Sequence, residues 1–204
     1  MWRIFDVLFP PRRDDIALRS ISDDAFLQHL SPRLVPATRP GTVALLPFSL
    51  PPVRSAIHEA KYHGTGRATA LLAQALADYL RDADDQARTI MLVPIPLGKA
   101  RRAERGFNQA EEIARRALHN LGGEFFLETG LLMRTRETAS QVSLPRRERE
   151  ENMRGAFRAA HVCNPAHTYI VLDDVLTTGA TLQAAIDALQ AAGALHIVPL
   201  ALAH

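Results

Sequence analysis

A chain of 204 residues, 47% hydrophobic and 23% charged, is long enough to bury one sizeable core and too ordinary in composition for a fibrous or disordered protein. Its 24 Lys and Arg against 22 Asp and Glu leave a formal charge of +2, so no global field marks a nucleic-acid or membrane binder, and any such partner must meet a local patch. The single cysteine, Cys163, excludes an internal disulfide framework and a multi-cysteine zinc site; no apolar run is long enough to span a bilayer, Asp6, Pro10 and Pro11 break the one near the start, and a cytoplasmic protein is expected.

Residues 1 to 50 are the least regular part, because Pro10, Pro11, Pro32, Pro36, Pro40 and Pro47 interrupt any long element. They are expected to form a small N-terminal hood, in which Trp2, Phe5, Leu8 and Phe9 need cover, ahead of a main domain over 51–204. Within the hood a short helix is predicted from Ser22 to Leu30, with Ser22 as cap and acids in the first turn. Ala68 to Leu80 repeats apolar residues at the spacing of a helix with one buried face, and Gly64 and Gly66 precede it. Ile90 to Ile95 is a short apolar strand closed by Pro94 and Pro96. Asn108 then caps a helix, with Glu111 as its reciprocal partner and Gly122 and Gly123 as its stop.

Phe125 to Leu127 and Leu131 to Met133 read as short strands, and the polar, basic stretch from Arg134 to Arg154 reads as a long mobile loop. Tyr169 to Leu172 is a buried strand, Leu182 to Ala192 a helix ended by Gly193, and Ala194 to Ala201 the last strand. Strands alternating with helices imply an α/β fold with a parallel, doubly wound sheet.

The chemistry concentrates in Tyr169-Ile-Val-Leu-Asp-Asp-Val-Leu-Thr-Thr-Gly-Ala-Thr181, where an apolar strand delivers Asp173 and Asp174 to its carboxyl end. That edge is where open α/β sheets bind ligands. Thr177, Thr178, Gly179, Ala180 and Thr181 lead straight into a helix, so small side chains let main-chain amides approach an anion and hydroxyls add donors. Carboxylates repel a phosphate but accept from sugar hydroxyls, or hold a hydrated magnesium ion. Phosphate beside a diol is ribose 5-phosphate. A turn cap followed by an ordinary helix start is the bland alternative, and it explains one aspartate better than the whole constellation.

This run resembles the 5-phosphoribosyl 1-pyrophosphate (PRPP) signature of type I phosphoribosyltransferases. The resemblance implies that Asp173 and Asp174 hold the ribose hydroxyls as catalytic residues, with Mg2+ reaching them through water or PRPP, and that Thr177 to Thr181 hold the 5-phosphate. It also implies that the loop after Val93-Pro-Ile-Pro-Leu-Gly-Lys99 receives pyrophosphate, through the amides of Leu97, Gly98 and Lys99 and the charges of Lys99 and Arg105. For Arg101, Arg102 and Arg105 a solvated helix face competes with that role. The family's purine-salvage members carry an aspartate where this chain has Thr177, which speaks against purine salvage by that mechanism.

Further blocks narrow the branch: Ile57-His-Glu-Ala-Lys-Tyr-His-Gly64, Arg105-Gly-Phe-Asn-Gln109, Arg134 with Thr138 and Gln141, and Asn152-Met-Arg-Gly-Ala-Phe157, in that order. Together they resemble the ComF family, the competence protein F and GntX-like branch, from about Phe48 to the C-terminus. Many relatives open with a four-cysteine zinc module, but Arg12-Arg-Asp-Asp15 stands there in this chain, so zinc does not carry over. The resemblance implies a flexible hood carrying Arg134, Arg136, Arg147 and Arg154, which closes on pyrophosphate or meets nucleic acid; a solvated loop is the bland reading. The implied activities are a PRPP-dependent transferase with an unidentified acceptor such as a nucleobase, a protein handling single-stranded DNA beside the DNA-uptake machinery, or a PRPP sensor. Tyr62 and Phe107 are the best aromatic candidates for stacking on bases, Lys61-Tyr62 reads equally well as a surface pair, and Cys163 as an inert small residue.

Overall fold

The computed structural model of the chain describes residues 17–63, 66–82, 88–121, 125–136 and 151–204. Trp2, Phe5, Leu8, Phe9, Gly64, Gly122, Gly123, Thr138, Gln141 and Arg147 lie outside the described residues.

A short helix, α1 (Asp23–Leu27), starts at Ser22, whose hydroxyl accepts the Ala25 N–H, and it buries Phe26. Two strands follow, β1 (Arg33–Val35) and β2 (Thr42–Leu46). Helices α2 (Pro51–His63) and α3 (Arg67–Asp82) lead to β3 (Ile90–Pro94). Next come α4 (Lys99–Arg105), α5 (Gln109–His119), β4 (Phe125–Leu127), and a separate antiparallel pair, β5 (Leu132–Arg134) with β6 (Phe157–Ala159). The chain closes with β7 (Thr168–Val175), α6 (Ala180–Ala191) and β8 (His196–Ala203).

Six strands form the main sheet in the order β1-β2-β8-β7-β3-β4, parallel throughout except for the antiparallel β1–β2 edge. The expected boundary at residue 50 is therefore corrected: β2 is a sheet strand hydrogen-bonded to β8, and residues 33–46 belong to the body of the fold. Pro36 and Pro40 fall in the turn between the two strands, where they interrupt no ladder, so proline density there marked a hairpin loop and not an irregular hood.

Alternation along the central strands splits the core into two layers. Leu92, Ile170, Leu172, Leu200 and Leu202 face α2, α3 and α5, while Val93, Tyr169, Val171, Ile197 and Ala201 face α6 and the β5–β6 pair. Both faces are covered, which is why these strands read as continuous apolar runs. No described helix is long and apolar enough to cross a membrane.

The strand order also fixes where a ligand site can lie. From β3 the chain moves outward to β4, whereas from β7 it moves the other way to β8, and β3 and β7 are direct neighbours. Loops leaving their carboxyl ends diverge and open a crevice, the topological switch point of an open parallel sheet.

Candidate ligand site

Two loops face this crevice, and they are built differently. The first is continuous: β7 ends at Asp173-Asp174-Val175, and residues 176–179 turn into α6. Gly179 caps that helix at φ 81°, and a Cβ there would lie 2.5 Å from the Ala37 carbonyl oxygen in the β1–β2 turn. Glycine is thus required twice over, by the left-handed backbone and by the close approach of a second main chain. The Thr178 hydroxyl sits 3.4 Å from the Ala180 amide. Those of Thr181 and Leu182 have no intrahelical acceptor, being in the first turn of a 12-residue helix. Thr177 is exposed and Thr178 and Thr181 are half-buried. The Arg39 amide donates to Gln183 Oε1 at 2.8 Å, so the β1–β2 turn packs on the same helix start.

The second wall is assembled from three elements. Gly106 closes α4 at φ 78°, and Asn108 then caps α5 by accepting the Ala110 amide while its Nδ2 donates to the Ile95 carbonyl at 2.9 Å. The cap ties the start of α5 to the loop leaving β3. Glu111 does not complete a reciprocal capping pair; its carboxylate takes Arg115 at 2.8 Å and Arg102 at 3.6 Å, since two guanidinium groups in reach outcompete one backbone amide. Gln109, the first residue of α5, is buried and donates through Nε2 to Asp174 Oδ2 at 2.7 Å, while its Oε1 accepts from Arg105 Nη1 at 2.8 Å. From α2, Lys61 Nζ reaches the same Asp174 Oδ2 at 3.1 Å. Lys61, Asp174, Gln109 and Arg105 form one connected polar chain across the crevice.

These partners separate the two adjacent acids. Neighbouring residues of a strand leave from opposite faces, and Asp174 leaves toward α2 and α5. Burial alone would raise its pKa, but the charge of Lys61, the hydrogen bonds from Gln109 and Lys61 and the charge of Arg105 outweigh it and hold the carboxyl below the usual range. Asp173 has its Oδ1 on the Asp174 amide at 2.9 Å. Desolvation, then the Asp174 charge, push it up to about 7, against a weaker pull from Lys61 and Arg101. Arg105 is lowered from its ordinary value, first by desolvation, with Asp174 opposing and Arg101 adding to the shift.

An ion bound directly at Asp174 Oδ2 does not fit this arrangement. Asp174 Oδ2 already accepts from an ammonium and an amide, and no group of three or more His, Cys, Asp or Glu side chains among the described residues could hold a metal. Magnesium carried by a ligand's own phosphates needs no donor from the chain.

The expected pyrophosphate residues are placed on the β3 side of the crevice. Gly98 precedes α4, its carbonyl accepting the Arg102 amide, and Arg105 is part of the Asp174 network; Leu97 leads into Gly98, and Lys99 opens α4. The four expected hood arginines part company. Arg134 lies over the Phe157 ring, 5.4 Å from its centroid, with Nη1 3.5 Å from the Pro96 carbonyl, and so sits beside the crevice loop. Arg136 donates to the carbonyls of Asn152 and Arg154, which makes it a clasp between residues 136 and 152. Arg154 is exposed, and Arg147 is outside the described residues.

Known proteins resemble this chain over 65% of its length. The "DNA utilization protein YhgH" of Salmonella typhi is 33% identical over 135 residues, covering 65% of this chain and 58% of that protein. The Escherichia coli K12 protein of that name is 33% identical over 138 residues with the same coverage. The chain spans less than two thirds of the length of these relatives. A hypoxanthine phosphoribosyltransferase structure from Staphylococcus aureus aligns with 65% of this chain and 61% of its own at a TM-score of 0.41 and 12% identity. No family model matches.

Lys61 and Gln109, which stand in the resemblance blocks without a role at the acids, and the β1–β2 turn are the site components that motif reading did not assign. Arg105-Gly-Phe-Asn-Gln109 was distinctive as a block, and the signal for Gln109 lay in its place: a polar residue straight after a cap, at the end of a loop leaving a buried strand. The Ile57–Gly64 block marked the segment around Lys61, but a helical lysine with a solvated end gives no local sign of which acid it meets.

Proposed function

We propose that the chain binds PRPP in the β3/β7 crevice as a type I phosphoribosyltransferase-like protein of the ComF kind. One observation carries this: at the switch point, a strand ending in two acids runs through a small-residue turn into a helix start whose Thr181 and Leu182 amides have no intrahelical acceptor, and the cation-rich helix α4 faces it across the crevice. In this reading Thr177 to Thr181 take the 5-phosphate. The acids accept from ribose hydroxyls, and Leu97 to Lys99 with Arg105 take pyrophosphate. Asp173 and Asp174 would also steady positive charge on the ribosyl carbon as pyrophosphate departs. The acceptor, a nucleobase being the simplest, enters opposite the leaving group.

Titration calorimetry with PRPP tests this reading: saturable binding at one site, lost in Asp174→Asn, supports it, and no heat with wild type ends it. Release of pyrophosphate in a manner dependent on Asp173, on adding a nucleobase, separates a transferase from a sensor. The name of the relatives supports a second reading, in which the basic rim at Arg101, Arg134 and Arg154 meets single-stranded DNA. Binding of an oligonucleotide that falls steeply with salt is then expected. Affinity indifferent to salt counts against it.

A further inference from the structure

Resting on that PRPP reading, we infer that Lys61, and not a divalent ion held by the protein, supplies the positive charge opposite Asp174 in the ligand-bound site. The acid that faces α2 and α5 has its Oδ2 engaged by Lys61 Nζ at 3.1 Å and by Gln109 Nε2 at 2.7 Å. Both ends of the ion pair are largely withdrawn from water, Lys61 with 25% of its side chain exposed and Asp174 with 14%. A pair so placed is screened little by salt and solvent. A cation bound at that same oxygen would have to displace the ammonium and strand it beside Arg101 and Arg105, both close enough to influence the same acids.

Lys61 is well supported for the task. It lies on α2, a 13-residue helix whose buried residues Val53, Ala56, Ile57 and Ala60 anchor it to the main core, so the ammonium is delivered by a rigid element. Gln109 holds the carboxylate from the opposite side and is itself fixed by Arg105. The second carboxylate oxygen of Asp174 is thereby left to accept from a ribose hydroxyl. Lys61 acts here through Asp174, as a positioning residue.

The test is PRPP binding by calorimetry to wild type, Lys61→Met and Lys61→Arg, each with EDTA and with magnesium. In EDTA wild type should bind, Lys61→Arg should stay within about three-fold of it, and Lys61→Met should be weakened by about ten-fold or more, the scale of one lost charge-assisted bond. Magnesium should bring Lys61→Met back toward wild type, because an ion can then occupy the vacated place. A merely structural role for Lys61 predicts the same loss with and without the ion. Lys61→Met equal to wild type in EDTA, or wild-type binding that needs magnesium and is unaffected by Lys61→Met, overturns the inference while leaving the PRPP reading standing. Absence of binding under every condition overturns both. Thermal unfolding of the two variants, with Lys61→Arg as the conservative control, identifies a loss that comes from misfolding.

Discussion

The two walls of the crevice achieve order by different means. The β7–α6 wall is a single run in which a buried strand, a glycine with a left-handed backbone and a helix start follow one another, so each position is set by its immediate neighbours. The opposite wall draws Lys61 from α2, Arg105 from the end of α4 and Gln109 from the start of α5, and nothing local brings them together. Its order comes from packing α2 and α5 on one face of the sheet and from the Asn108 bond to the Ile95 carbonyl. A contiguous wall should therefore fail through backbone geometry, and an assembled one through the loss of single side-chain partners.

The largest effect is expected at Gly179. An alanine there meets both a left-handed backbone and the Ala37 carbonyl, so Gly179→Ala should destabilise the fold by about 3 kcal/mol in denaturant unfolding. Gly106 has nearly the same φ but nothing within 4 Å of its Cβ position, and Gly106→Ala should cost only about 1 kcal/mol. Equal losses at the two glycines would show that the contact with the β1–β2 turn is unimportant. Next in size, Asp174→Asn should weaken PRPP binding by about 2 to 3 kcal/mol, roughly 30- to 150-fold, and should also lower the unfolding midpoint, because it leaves Lys61 without its charge partner.

Gln109→Leu keeps the shape of the side chain but leaves Asp174 and Arg105 each one partner short, and should lower stability by about 1 to 2 kcal/mol. If its unfolding curve overlays wild type, the assembled wall does not depend on this amide. The smallest effect is a pH dependence. Asp173 binds its proton more tightly folded than unfolded, so the stability it contributes is present below its ordinary pKa of 3.8 and is lost as pH rises through about 7. Asp173→Asn stays neutral at every pH, so it should gain on wild type across that window by on the order of 1 kcal/mol. A stability difference flat from acid to neutral pH would show that Asp173 ionises as freely folded as unfolded.

Much of the fold was legible because its elements are locally coded. Ser22 and Asn108 were recognised as caps and are caps, since capping depends on one side chain and amides two or three residues on. The apolar spacing of 68–80 marked a helix that extends over Arg67–Asp82, and the run 169–172 marked a strand that extends to Val175. Asp173 and Asp174 fall within that extension, at the carboxyl end of the sheet as expected. Residues 33–46 were misplaced for the opposite reason: β1 and β2 are stabilised by pairing with each other and with β8, partners some 160 residues distant in the case of Ala44 and Ala201, which no local pattern reveals.

From the sequence alone came the α/β class, the helices at 68–80 and after Asn108, the strands at 90–95 and 169–172, and the contiguous acid-threonine-glycine run, because periodicity, capping and turn chemistry act over a few residues. Tertiary structure alone decided that β3 and β7 are neighbours with diverging loops, that the two acids leave the strand in different directions, and that Lys61 and Gln109 converge on one carboxylate oxygen. Those outcomes depend on which faces pack together. A charge buried by that packing must find its partner in space, whatever its distance along the chain.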